Sequence, residues 1–302
     1  MPELPEVETV VRDLNKKVRG AVITGVWFDW PKLIKHSSAP ASREFHPTAS
    51  RDFVSFVTGE KIVAIQRIAK NIIIHLSRNK TLLIHQKMTG HLLIGKWEIR
   101  GGKVLPIAPK AIVEDSYNGY IHLILYLDDG RMLALSDVRK FAKVIAGTKD
   151  EIMGLSELTN LGPDALDSKL TSAGFYSLIR TNGRTIKQVL MDPNVIAGIG
   201  NIYSDDILWR AKVHPLTRAN RIKPAEMKAI YTAMRTILAK AVELRGTSTS
   251  DFRDTAGLEG GYTGQRLVYG REGVPCKRCQ TPIKRIKVGE RSAHFCPRCQ
   301  QI

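Results

Sequence analysis

The stretch Met1-Pro2-Glu3-Leu4-Pro5-Glu6-Val7-Glu8-Thr9 decides the reading of this chain. Leu4, Val7, Val10 or Val11, Leu14 and Val18 recur at helical spacing, and Gly20 ends the run. An amphipathic helix is therefore expected to start at the terminus itself. A small second residue such as Pro2 favours removal of Met1. The new terminus is then a secondary amine followed at once by the carboxylate of Glu3. An α-amino group titrates at about 8, which leaves a useful neutral, nucleophilic fraction at physiological pH. Condensed with an aldehyde-level carbon, a secondary amine gives an iminium ion, charged without a proton, into which eliminations run. Glu3 would be the adjacent acid/base. The same residues also suit a plain helix start, since proline is favoured in the first turn and Glu3, Glu6 and Glu8 complement the macrodipole.

Beyond the helix, short segments rich in Val, Ile, Leu and aromatics follow one another at 21–30, 53–57, 61–68, 71–76, 81–85, 91–97, 121–127, 131–136 and 141–146. They read as strands, with Asn118-Gly119 and Asp129-Gly130 as hairpin turns. Residues 1–148 are thus expected to form a β-sandwich or barrel that carries the N-terminal helix. Residues 31–52 and 98–117 read as loops. From about 150 the pattern turns helical, at 169–181, 184–191, 200–210 and 224–245, with Gly246 as a stop. Ile196-Ala197-Gly198-Ile199-Gly200-Asn201 is a Gly-rich turn opening a helix, which presents backbone N–H groups to a phosphate. Residues 247–265 are polar and Gly-rich and are expected to be mobile. The fold class expected is α+β in two domains, the sandwich at 1–148 and a helical domain at 149–265 that includes the mobile loop, the latter followed by a four-cysteine module at 266–302 that closes the chain as a β-hairpin.

The 302 residues carry a formal charge of +17 and a pI of about 9.8. Such an excess implies a polyanionic partner. Residues 271–302 hold eight Lys/Arg against Glu272 and Glu290, a net of +6, and the remainder is spread over the body as a long binding groove would need. No stretch approaches ~20 apolar residues, so no membrane span is expected, and no basic-then-apolar signal region is present. A cytoplasmic setting is expected.

All four cysteines lie near the C-terminus as Cys276-x2-Cys279 and Cys296-x2-Cys299. Two such knuckles fit one tetrahedral zinc with four thiolates and no open position. Two disulfides are the alternative, against which the missing signal region argues. A closed four-thiolate zinc folds a module and does no chemistry.

Taken together, these residues resemble the formamidopyrimidine-DNA glycosylase family, which also includes endonuclease VIII. The resemblance spans nearly the whole chain. It rests on residues 1–9, Arg67-Ile68-Ala69-Lys70, His85-Gln86-Lys87-Met88-Thr89-Gly90, and His122 ahead of Leu127-Asp128-Asp129-Gly130. It continues through Asp137-Val138-Arg139-Lys140-Phe141, Gly198-Ile199-Gly200-Asn201-Ile202-Tyr203, Val268-Tyr269-Gly270-Arg271 and the four-cysteine module. Leu4-Pro5-Glu6-Val7 resembles the purine-lesion branch; in endonuclease VIII, Gly usually follows the Glu.

The resemblance implies a bacterial, monomeric base-excision repair enzyme acting on damaged double-stranded DNA. It implies that an oxidised purine (8-oxoguanine or a formamidopyrimidine) is flipped out and its N-glycosidic bond cleaved, after which the strand is nicked. A base inside a duplex cannot be reached, so extrusion is required. Pro2 would attack C1′, Glu3 would protonate the ring oxygen, and the iminium would drive β- and then δ-elimination. Lys70 matches a proton donor and phosphate contact. Arg291 matches an arginine on the phosphates flanking the lesion, assigned to δ-elimination, a role suited to a fixed-charge guanidinium. Asn201 matches a phosphate-gripping asparagine of a helix–two-turn–helix and could equally be a helix N-cap. His122 and Arg184 are weaker DNA-phosphate candidates. Met88, Arg139 and Phe141 match the side chains that fill the hole left by the flipped base, the arginine pairing with the orphaned cytosine. Cys276, Cys279, Cys296 and Cys299 would hold one structural zinc.

The chain departs from the family at Gln86-Lys87, where small or apolar residues are usual, in the long segments 31–52 and 98–117, and in 247–265, which aligns but not residue by residue. Two other readings stand beside the main one: an endonuclease VIII-like glycosylase for oxidised pyrimidines, and a non-catalytic zinc-dependent DNA-binding protein. Intact Pro2, Glu3, Lys70 and Arg291 argue against the second.

Overall fold

A computed structural model describes residues 1–36, 47–249 and 251–302. The chain divides into two compact units, Met1–Thr159 with Arg245–Gly261, and Asn160–Leu244 with Tyr262–Ile302.

Unit one contains α1 (Leu4–Lys17), β1 (Ile23–Phe28), β2 (Ile34–His36), α2 (Pro47–Val57), β3 (Ile62–Ile68), β4 (Asn71–Leu76), β5 (Lys80–His85), β6 (His91–Arg100), β7 (Lys103–Ala108), α3 (Lys110–Glu114), β8 (Ile121–Leu127), β9 (Met132–Ser136), β10 (Lys143–Thr148), α4 (Lys149–Met153) and α5 (Ser156–Thr159). The strands form two sheets, ordered β1-β8-β9-β6-β7 and β2-β10-β5-β4-β3. All pairings are antiparallel except β2 with β10. Alternate residues from both sheets share one apolar core: Ile72, Ile74, Leu82 and Ile84 from the second, Leu92, Leu123, Leu125, Leu133 and Leu135 from the first. This is the expected β-sandwich. Helix α1 adds Val7, Val10 and Leu14 to that core, as its apolar spacing requires.

The first sheet is buried on its outer face too. Leu93, Ile124 and Ala134 face Trp97 and Ile112 there. That second layer comes from part of the segment read as a loop. Residues 98–117 supply the end of β6, the edge strand β7, α3, and a 3-10 turn over Ser116–Gly119 where a hairpin was expected. Asp115 caps this turn by accepting from Tyr117 N at 3.0 Å. The expected strand 53–57 is instead the end of α2, whose Phe53 and Val57 reach the core four residues apart. Within 31–52, a 3-10 turn at Pro31–Leu33, β2 and most of α2 appear; positions 37–46 of that expected loop lie outside the described residues.

Segment 245–261 also differs from expectation. Phe252 belongs to the sandwich core, and Thr255 accepts the Ile94 backbone N–H at 2.8 Å. Arg245 donates to Asp13 at 2.5 Å and to Asp254 at 2.6 Å, fastening the segment to α1.

Unit two contains α6 (Ser172–Ile179), α7 (Ile186–Leu190), α8 (Asn201–Ala211), α9 (Pro224–Glu243) and the hairpin β11 (Lys284–Val288) with β12 (Arg291–Phe295). These are the four expected helices, α6, α7 and α9 shortened at their ends and α8 shifted by one residue, and the expected terminal hairpin. Phe175 of α6 packs on Tyr231 of α9 at 5.7 Å between ring centres. Among the described residues no helix is long and apolar enough to cross a membrane.

Candidate functional site

In unit one the antiparallel register collects the expected residues at one end of the second sheet. Strand β3 ends at Ile68 opposite Asn71, the first residue of β4. Strand β5 ends at His85 opposite Lys143, the first residue of β10. Three turns therefore leave the same end: Ala69-Lys70, 86–90 with Met88, and 137–142 with Arg139 and Phe141. Helix α1 points its N-terminus the same way, because Asn15 bonds to Ile65 while Glu8 pairs with Arg67 at 2.8 Å.

The N-terminal residues are held tightly. Pro2 is buried, and Glu3 and Glu6 are 2% and 1% exposed. Glu6 accepts the Glu3 backbone N–H through Oε2 at 2.7 Å and the Thr247 backbone N–H through Oε1 at 2.7 Å. Gly246 precedes that contact at φ +83°, and a Cβ there would stand 2.7 Å from Glu6 Oε1, so only glycine fits. The terminal amine, carried by Met1, titrates below its ordinary value of 8.0 because burial disfavours its charge. Glu3, Glu6 and Asp251 oppose this, and Lys70 reinforces it. An amine so placed has a larger neutral fraction at neutral pH. Lys70 and Asp251 are thus within electrostatic reach of the amine, and neither Glu6 nor Asp251 was singled out as functional from sequence.

On the neighbouring turns, Met88 is half-buried, while Phe141 is 52% exposed with the Arg139 guanidinium stacked on its ring at 4.5 Å. A half-exposed phenylalanine beside an arginine is a surface able to receive a planar base. His122 is 8% exposed and its Nδ1 bonds to Asp29 at 2.8 Å, which fixes the ring at the start of β8. Gln86 is 1% exposed, and neither its Oε1 nor its Nε2 has a hydrogen-bond partner among the described residues.

In unit two, Gly200 is the N-cap of α8 and Asn201 is its first helical residue, so of the two roles open to Asn201 the cap falls to its neighbour. The Asn201 amide oxygen is buried without a hydrogen-bond partner among the described residues. Arg184 is held by Asp192 at 2.8 Å and by Asn182 at 3.2 Å. Arg291 is exposed at the start of β12, beside Arg285 and Lys287 in an open cavity of about 440 Å³.

The four cysteine sulfurs lie within 4.8 Å of one another. Cys296 and Cys299 each stand 3.4 Å from Cys279. A disulfide needs about 2.05 Å, whereas four thiolates at about 2.3 Å from one zinc stand about 3.8 Å apart. The donor set fits a tetrahedral zinc. Backbone N–H groups of Arg278 and Cys299 and the Trp209 indole point at the sulfurs at 3.4 Å, as thiolates require.

Sequence reading missed how this hairpin is anchored. Asp205 and Asp206 sit fully buried on α8. Asp205 accepts from Lys187 Nζ at 2.5 Å and from the His294 backbone N–H at 2.8 Å. Asp206 accepts from the backbone of Val268 at 2.9 Å and from the Tyr262 hydroxyl at 3.0 Å; burial pushes its carboxyl up, against those bonds. Arg291 and Asn201 are therefore tied into one frame. Two adjacent aspartates inside an apolar helix were the available signal.

Comparison with known proteins agrees along the whole chain. Residues 1–144 match the formamidopyrimidine-DNA glycosylase N-terminal domain, 161–253 its H2TH domain, and 273–302 the zinc finger found in FPG and IleRS. A formamidopyrimidine-DNA glycosylase of Chloroflexus aggregans is 38% identical over 303 residues, covering 100% of this chain and 99% of that one. The Lactococcus lactis Fpg bound to DNA containing an abasic site superposes with a TM-score of 0.83 at 29% identity, covering 99% and 100% of the two chains. The MutM (Fpg) protein of Thermus thermophilus gives 0.80 at 32% identity over 99% and 98%. With domain matches in sequential order and relatives aligned end to end, the chain belongs to the formamidopyrimidine-DNA glycosylase family.

Proposed function

We propose that this chain excises oxidised purines from double-stranded DNA and then nicks the strand, with Pro2 as nucleophile once Met1 is removed. The observation that carries the reading is Pro2, buried beside the buried carboxylates Glu3 and Glu6 at the end of the sheet where Lys70 also lies, in surroundings whose burial lowers the pKa of the amine that Met1 carries there. The neutral amine attacks C1′ of the flipped nucleoside, and the base leaves with the glycosidic electron pair. Glu3 delivers a proton to O4′ as the sugar opens, giving the iminium. Loss of a C2′ proton then expels the 3′-phosphate, and a second elimination expels the 5′-phosphate. Lys70 and Arg291 hold the flanking phosphates, with Asn201 gripping the backbone and His122 and Arg184 as further phosphate contacts. Met88 and Phe141 fill the vacated stack and Arg139 reads the orphaned base. Cys276, Cys279, Cys296 and Cys299 hold one structural zinc, which keeps the Arg291 hairpin folded. The chain carries every group this chemistry uses, which supports action as a monomer; its bacterial relatives and +17 charge support work at the nucleoid.

Borohydride trapping on duplexes holding 8-oxoguanine, an oxidised pyrimidine or an abasic site tests this. A covalent adduct is expected on the 8-oxoguanine and abasic duplexes, and none from protein that mass spectrometry shows to retain Met1. Preference for the pyrimidine lesion would replace the purine reading, and full activity with Met1 in place would remove Pro2 from the mechanism.

A further inference from the structure

Two turns carry the side chains assigned above to the opposite strand, and they leave the sheet at the paired residues His85 and Lys143. Met88 lies three residues past one anchor, and Arg139 four before the other. Pairing alone does not fix their tips. Each turn contains a non-glycine residue in the left-handed region, Lys87 at φ +55° and Lys140 at φ +56°. Such conformations persist only where the surroundings over-determine them.

Asp137 and Thr89 supply that determination. Both are buried, at 1% and 7% exposure. The Thr89 hydroxyl donates to Asp137 Oδ1 across the gap between the turns. The Arg139 backbone N–H is shared between Asp137 Oδ1 and Thr89 Oγ1, each at 3.2 Å. Asp137 Oδ2 accepts the Ala142 N–H at 2.7 Å, and its carbonyl accepts the Lys140 N–H at 3.2 Å. One carboxylate thus closes the loop on both sides of Arg139, Lys140 and Phe141 and bonds to the residue next to Met88. Asp137 is itself held by its N–H to the Tyr120 carbonyl at 2.8 Å. A second contact lies beside the first: a Cβ on Gly90 would stand 3.1 Å from Ala142 Cβ and 2.5 Å from the Gln86 carbonyl.

We propose that the Thr89–Asp137 pair is a positioning device for base selection opposite the lesion, holding the Met88 turn and the Arg139–Phe141 turn at one fixed separation. This rests on the opposite-strand role given to those three side chains. Neither Thr89 nor Asp137 touches DNA in this scheme. Their loss lets Arg139 reach alternative positions and accept alternative bases.

The test measures kcat/KM on duplexes with cytosine or adenine opposite 8-oxoguanine, and on a preformed abasic site. Wild type, Thr89→Val, Thr89→Ser, Asp137→Asn and Arg139→Ala are compared. Thr89→Val and Asp137→Asn are expected to reduce the cytosine-over-adenine preference about ten-fold, the scale of one lost hydrogen bond to a charged group. Cleavage at the abasic site is expected to change by less than about two-fold. Thr89→Ser, which keeps the hydroxyl, is expected to keep the preference. Equal loss on all three duplexes by Thr89→Val and Asp137→Asn would make the pair merely structural and overturn the proposal. If Arg139→Ala abolishes the preference while Thr89→Val and Asp137→Asn leave it intact, the positioning role alone falls. If Arg139→Ala also leaves it intact, the opposite-strand reading falls and takes this proposal with it.

Discussion

Glu6→Gln should separate the scaffold of the N-terminal site from its electrostatics. Glu6 is buried, and each of its oxygens accepts one backbone N–H at 2.7 Å, from Glu3 and from Thr247. A glutamine of the same shape keeps one acceptor but sets its NH2 group against the other N–H donor. One charge-assisted bond is lost outright and the second loses its ionic part. Bonds to charged groups contribute about 1.5–3 kcal/mol each, so a loss of about 3 kcal/mol is expected. At about 2–4 °C per kcal/mol for a unit of this size, the melting temperature should fall by about 6–12 °C. The electrostatic effect is independent of this. Glu6 raises the pKa of the terminal amine. That amine is carried by Met1; on the Pro2 amine left once Met1 is removed, loss of the Glu6 charge is expected to act in the same direction, so the neutral nucleophile persists to lower pH. The acid limb of the trapping rate should then move to lower pH even as the protein becomes less stable. Thermal melting by circular dichroism and a pH series of borohydride trapping on abasic DNA read the two effects. A melting temperature within about 1 °C of wild type would refute the bridging role, and an acid limb that moves up would refute the electrostatic one.

Cys296→Ser should release one zinc per chain and weaken binding to damaged and undamaged DNA alike, read by elemental analysis and titration; unchanged affinity in metal-free protein would contradict it. Glu60 is fully buried, which pushes its carboxyl up, but bonds from Arg78, Lys80 and Ser77 outweigh this and hold it down at about 2. With its folded value below the ordinary 4.5, its contribution is complete above that ordinary value and is lost as pH falls towards 2; urea melts of Glu60→Gln should therefore show a flatter stability profile across that window than wild type. Gln86→Leu removes two buried polar atoms that have no hydrogen-bond partner among the described residues and should raise stability by about 1–3 kcal/mol; a fall would mean that the amide is satisfied.

Local pattern carried much of this fold. The period of α1 and the alternation in β8 and β9 are visible because each buries one face in a shared core. Where burial comes from elsewhere, the pattern misleads. Phe53 and Val57 form an apolar run too short to separate strand from helix. Residues 103–114 look like a loop because their partner, the outer face of the first sheet, is invisible along the chain. The Gly-rich segment 247–265 reads as mobile, yet most of it is packed. Its glycines instead mark close backbone approach: a Cβ on Gly260 would stand 2.3 Å from the Gly246 carbonyl oxygen, and one on Gly257 would stand 2.8 Å from Asn118 Nδ2. Absence of side chains here permits packing, and the local sequence gives no sign of which use applies. The candidate site divides in the same way. Residues proposed to touch DNA form short motifs, whereas Glu6, Thr89, Asp137 and Asp205 act on partners up to 241 residues away.

The unit-one site and the sandwich core depend on the same variable, strand register. Lys70, Met88 and Arg139 lie on three separate turns, which share one end of the sheet only because β3, β4, β5 and β10 pair as they do. A slip of one residue would turn Ile72, Ile74, Leu82 and Ile84 from the core to the opposite face, so burial specifies register strongly. That same slip would shift one turn against the next by about 3.3 Å, more than a hydrogen bond such as Thr89 to Asp137 can span. The hydrophobic core therefore sets turn placement to within one residue, and buried polar bonds set it within that residue. The first control is distributed over many side chains and tolerates single changes. The second rests on a few atoms, and this is where exchange of a hydroxyl for a methyl should alter selectivity while leaving the fold in place.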